Sequence, residues 1–112
     1  MGKNKGSLKL VQGTVDLLIL KTLTRGPQHG YGVSVSVRER SDGDLVLDDA
    51  ALYQALHRLE RRELIASEWG VSENNRRAKF YEITRAGRRY LTKESSTWQR
   101  YARAVSAILD PS

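Results

Sequence analysis

The chain has no cysteine, only two prolines, one phenylalanine, two histidines and no long apolar run. Each scarcity excludes something. Without thiols there is no disulfide framework and no thiolate metal site. A bilayer-spanning helix needs roughly 18 or more consecutive apolar residues, and the beginning of the chain lacks the apolar stretch of a secretory signal. The expected location is the cytoplasm, with no membrane partner. His29 and His57 have no tight carboxylate cluster in the sequence around them, so no metal site is expected. Gly32-Val33-Ser34 begins like a nucleophile elbow, but Ser36 stands where that turn requires glycine. Phosphate-cradling Gly-Lys-Ser/Thr loops are missing as well. No catalytic residue and no cofactor are expected, and an enzyme is the disfavoured reading.

What is present is basic charge. Across 112 residues, enough for one domain, there are 19 basic and 13 acidic side chains, a net charge of +6. Excess positive charge favours polyanions through counterion release. The middle of the chain, 49–84, carries as many acids as bases. A nucleic-acid footprint there must come from the placement of charges, not from their bulk. A chain this small buries a modest share of its surface, and pairing is one way to recover stability.

The pattern along the chain divides it into three parts. Residues 1–13 form a polar tail and lead-in, of which 1–7 are rich in glycine and lysine. Thr14 is placed to cap a first helix over 15–24, apolar around most of its circumference, with Asp16 at the positive end of its dipole. Arg25-Gly26-Pro27 ends it. A second element follows from His29 or Gly30 to Arg40. Val33, Val35 and Val37 alternate as in a strand, but a helix is preferred because two short helices before a third make a compact trihelical core. After a turn at 41–44, a short extended piece is expected at 45–47. Asp48 or Asp49 then caps a third helix reaching about Arg62, whose Leu52, Leu56 and Leu59 form one apolar stripe. Its other side carries Tyr53, Gln54, His57, Arg58 and Arg61. Two strand-like runs, 64–71 and 78–84, flank Glu73-Asn74-Asn75-Arg76, where asparagine tolerates the left-handed backbone of a tight turn. Thr84 caps a long last helix that Pro111 ends. Leu91, Trp98, Tyr101, Val105, Ile108 and Leu109 give it an apolar seam, interrupted at Glu94 and Ser95.

Three helices, a hairpin and a fourth helix, in that order, describe a mainly α, α+β chain: a winged helix-turn-helix over 14–84, followed by a dimerisation helix over 85–112. A helix like the third fits a major groove about 12 Å wide. Tyr53 and Gln54 lie where such helices approach bases, and Arg58 and Arg61 lie further along, within reach of phosphate. The hairpin tip and its flank (Asn75, Arg76, Arg77, Lys79) place three cations on a projecting ribbon suited to backbone or minor groove.

Five stretches carry a family resemblance: Gly-Thr-Val-Asp-Leu-Leu-Ile-Leu-Lys (13–21), Gly-Pro-Gln-His-Gly-Tyr (26–31), Leu-Tyr-Gln-Ala-Leu-His-Arg-Leu-Glu (52–60), Ser-Glu-Trp-Gly-Val-Ser-Glu-Asn-Asn-Arg-Arg-Ala-Lys-Phe-Tyr (67–81) and Thr-Arg-Ala-Gly-Arg (84–88). In these the chain resembles PadR-type transcriptional regulators, in the branch with one short C-terminal helix. The resemblance implies a homodimeric winged-helix repressor of bacterial transcription acting on double-stranded DNA at a palindromic operator. It also implies a phosphate contact at Tyr31, contacts from Tyr53 and His57, and a wing carrying Arg76, Arg77 and Lys79. The chain departs from the family where Ala50-Ala51 replaces Gly-Ser and Gln54 replaces proline. Ala51 thus sits at a DNA-facing position without the hydroxyl, while Gln54 can bond adenine in bidentate fashion.

Two further readings follow. A winged helix that binds protein or RNA is the alternative to one that binds duplex DNA. In a dimer, Trp98 facing its symmetry mate would suit a small aromatic or hydrophobic effector; Trp98 as a plain dimer anchor is preferred, since aromatic residues dominate interface cores.

Overall fold

A computed structural model of the protein describes residues 13–111. The helices are α1 (Thr14–Leu23), α2 (Gly30–Arg40), α3 (Asp49–Arg61) and α4 (Arg85–Leu109). The strands are β1 (Gln28–His29), β2 (Ile65–Val71) and β3 (Arg77–Ile83), arranged β1-β3-β2 in one antiparallel sheet. This is the α+β winged-helix architecture expected. The expected lead-in falls outside the described residues apart from Gly13.

Several boundaries follow from single side chains. Gly13, at φ +89°, takes the N-cap position of α1, so Thr14 is the first helical residue instead of the cap. Asp48 Oδ1 accepts from the Ala51 amide at 2.9 Å and starts α3. Thr84 Oγ1 accepts from the Gly87 amide at 2.9 Å and starts α4. The same Thr84 hydroxyl donates to the Glu63 carbonyl at 2.8 Å, so one residue joins the sheet, the end of α3 and the last helix. Glycine is required at position 87: a Cβ there would run into the Leu64 carbonyl oxygen.

The valine run of α2 is helical, with Val33 and Val37 buried four residues apart. Residues 45–47 form no strand; Leu47 is buried and Val46 exposed. The two-residue β1 is new. It pairs Gln28 with Tyr81 and His29 with Phe80, and so fastens the start of α2 to the wing.

The core gathers Ile19, Leu20, Leu23, Val33, Leu52, Leu56, Leu59 and Ile65, each at most 2% exposed. Burying each such side chain contributes about 1.5–3 kcal/mol relative to leaving it in water. α4 behaves differently along its length. Its first turns join the core through Ala86, Tyr90 and Leu91, whereas Trp98, Tyr101, Val105, Ile108 and Leu109 are all exposed.

Candidate nucleic-acid interface

α2 and α3 meet through their starting turns. Gly30 opens α2 directly beneath the Tyr53 ring, and a Cβ at Gly30 would approach the Tyr53 hydroxyl to 2.6 Å. The close crossing leaves Tyr31 69% and Tyr53 46% exposed side by side. His29 holds this corner. Its Nδ1 accepts from the Gly32 amide at 3.0 Å, capping α2, and its ring meets Phe80 edge-on at 5.3 Å. With Nδ1 accepting, the proton of a neutral ring belongs on Nε2, which lies 3.4 Å from Glu73 Oε1 at the wing tip. The Glu73 carboxyl is held below the usual carboxylate range, first by its own backbone amide and then by His29.

The wing is sided. Side chains alternate across a strand, and the register pairs Ser67 with Tyr81, Trp69 with Lys79 and Val71 with Arg77. One face therefore carries Ser67, Trp69, Val71, Arg77 and Lys79. It fronts α3, because Ser67 donates to Glu60 and Lys79 Nζ lies 3.8 Å from the same carboxylate. The opposite face of the ribbon carries Glu68 and Glu82. Arg77 lies 4.4 Å over the Trp69 ring, which orients its guanidinium along the basic face. The loop beyond closes with Asn75 in the left-handed region at φ 61°, its amide bonding the Ser72 carbonyl at 2.8 Å. Between wing, α2 and α3 lies an open cleft of about 570 Å³ bordered by Tyr31, Tyr53, Trp69, Arg76, Arg77 and Lys79.

Most residues expected at a DNA surface are exposed on this side of the molecule. Tyr31, Tyr53, Gln54, His57, Arg61, Asn75, Arg76 and Arg77 are exposed; Ala51 is half-buried, and Lys79 is half-buried beside Glu60. Two placements correct the sequence reading. Arg58 does not reach outward as a free cation, because its guanidinium pairs with Asp16, whose side chain is 8% exposed. The hydrogen bond to Asp16 raises the Arg58 pKa further above its ordinary value. Asp16 accordingly faces α3, a role its place in a first turn did not reveal. Leu91, expected in the dimer seam, is 8% exposed and belongs to the subunit's own core. The Trp69–Arg77 stack and the His29–Glu73 contact are additions that the folded wing brings together.

The sequence model of the transcriptional regulator PadR-like family matches residues 19–93, from α1 through the first turns of α4. The chain belongs to the PadR-like family of transcriptional regulators. A transcriptional regulator from Clostridium thermocellum superposes with a TM-score of 0.77 at 31% identity, over 86% of this chain and 90% of that one. A PadR family transcription regulator from Clostridium difficile R20291 gives 0.74 at 29% identity, over 87% and 99% respectively. An uncharacterised protein from Lysinibacillus sphaericus is 25% identical over 90% of this chain and 93% of its own length. The winged helix-turn-helix and the role in transcription regulation thus rest on family and fold together, and the family's members are regulators in place of enzymes.

Proposed function

We propose that the protein binds duplex DNA as a homodimer at a palindromic operator and represses transcription there. The observation that carries this reading is the shared orientation of α3, Tyr31 and the wing's cationic face around one open cleft, with the strand acids Glu68 and Glu82 on the far side and Glu73 the one wing acid at the cleft's edge. A phosphate backbone entering that cleft meets Arg76, Arg77 and Lys79, while the start of α3 presents Tyr53 and Gln54 to base edges.

The exposed apolar half of α4 supports the homodimer. A helix alone in water is marginal, and its aromatic and aliphatic face needs a cover that the described residues do not supply. A two-fold pair would set two recognition helices about 34 Å apart, one turn of duplex. An open groove of about 830 Å³ beside Trp98, lined by Leu17, Leu18 and Leu45, is the seat for the partner's helix. A flat apolar effector against Trp98 is the second reading of that groove, within the usual volume of small-molecule sites.

The test is binding to duplexes selected from a random pool, followed across salt. With roughly 6–10 phosphate contacts, affinity should fall about 10³- to 10⁵-fold between 50 and 200 mM salt. Gln54→Ala should relax one base position per half-site, at about 1–3 kcal/mol for the preferred base, whereas Arg76→Ala weakens all sequences alike. A flat salt response, or preference for single strands, would favour a protein or RNA partner instead.

A further inference from the structure

The outward face of α4 is built against the electrostatic grain of the fold. At about 100° per residue, Arg85, Arg88, Arg89, Lys93, Arg100 and Arg103 fall within roughly 140° of the helix circumference and extend along about 27 Å of its axis. All six are exposed, and none forms an ion pair among the described residues. The single acid within the helix, Glu94, lies on the opposite side with Trp98 and Tyr101.

Two features separate this stripe from an ordinary solvated face. Solvated helices usually intersperse acids and bases at i,i+4, but here Arg85–Arg88, Arg85–Arg89, Arg89–Lys93 and Arg100–Arg103 are like-charge neighbours that weaken the helix. Three arginines also crowd the positive end of the helix dipole, with no acid in the first turn and no base in the last. α1 and α3 follow the opposite rule, with Asp16 and Asp49 in their first turns and bases in their last. A local arrangement that opposes the fold is where function is expected.

From this we infer that the outward face of α4 is a second contact for duplex DNA, independent of sequence and separate from the α3 and wing surface. The inference rests on the DNA-binding reading above. α1 packs against both α3 and α4, and the six cations lie on the side of α4 opposite Gly87 and Leu91, its buried residues. One assembly would then hold two DNA segments. The chemistry of the stripe selects the occupant. Five of its six cations are arginines, which pair bidentately with phosphate. No aromatic or aliphatic anchor is present among them for a protein hot spot or for stacking unpaired bases.

The experiment is a two-duplex capture. The full-length protein is loaded on a bead-bound biotinylated duplex, washed, and offered a fluorescent duplex of unrelated sequence. The wild type should retain the second duplex. The Arg88→Ser/Arg89→Ser/Lys93→Ser variant should hold the first duplex as before but lose capture of the second by at least about tenfold, with the salt slope of that step shallower by about 2.7 per subunit. Its hold on the first duplex shows that the variant folds. Undiminished capture by the variant overturns the inference. So does a wild type that holds the first duplex and captures no second, or one whose stripe binds phosphatidylserine vesicles in place of DNA; either result leaves the α3 and wing reading standing. Failure to hold even the first duplex overturns that reading too.

Discussion

α3 and α4 carry apolar stripes of the same helical spacing and opposite fate. Leu52, Leu56 and Leu59 of α3 are at most 1% exposed, whereas Tyr101, Ile108 and Leu109 of α4 are 62%, 83% and 73% exposed. Periodicity therefore announces that a face is apolar and says nothing about what covers it. For α3 the cover is α1, α2 and the sheet; for the far half of α4 the described residues supply none. In the proposed dimer, stability would have two sources, one set by folding and one by concentration.

The sharpest way to break the comparison is Trp98→Ala. Truncating a large aromatic at a packed interface should cost about 3–5 kcal/mol of dimerisation, with the subunit fold retained. Sedimentation at micromolar concentration should show dimer for the wild type and monomer for the variant; a monomeric wild type would refute the proposed pairing and the palindromic site with it. Leu59→Ala probes the other side. It should cost about 2–5 kcal/mol of unfolding free energy, with a loss that is the same at every protein concentration in denaturant melts.

Arg58→Ala tests whether the polar side of α3 is also committed within the subunit. It strands the buried Asp16 carboxylate; because Arg58 itself is 45% exposed, the expected loss is about 1–3 kcal/mol. Arg58→Ala/Asp16→Asn should recover part of it. Equal stability of the single variant and the wild type would return Arg58 to the DNA-facing set. The smallest effect belongs to the wing tip. Glu73 has a depressed pKa, so its contact with His29 contributes above the ordinary value of 4.5 and is lost as pH falls through the lower folded value. Amide exchange at Glu73 and Gly32 should quicken over that acid window, and Glu73→Gln should abolish the pH dependence.

Much of this architecture is legible in the residues. Three of the helices, both long strands and the cap at Thr84 follow from periodicity and capping chemistry, as does a cap at Asp48 or Asp49; α2 follows from the compactness of a trihelical core, against the alternation of its valines. β1 does not, because two residues carry no period and its pairing with Tyr81 and Phe80 is set by the fold. Tyr53, Gln54 and the wing cations stand where helix phase and turn position place them. Arg58 and Leu91 do not: each occupies a suitable phase, but phase cannot report that Asp16 lies 42 positions away in sequence and in contact, or that α1 already covers the start of α4. Departures from expectation thus concentrate where distant segments meet.

Thr84 stands alone between β3 and α4, with its amide on the Leu64 carbonyl, its hydroxyl on Glu63 and Gly87 wedged behind it. A ribbon and a rod soldered at one residue form a bell crank. α4 is about 37 Å long, so a turn of roughly 5° at the joint sweeps the far end of α4 through about 3 Å and swings the wing by the same angle. In the proposed dimer, whatever sets the angle between two copies of α4 would then also bear on the aim of both wings.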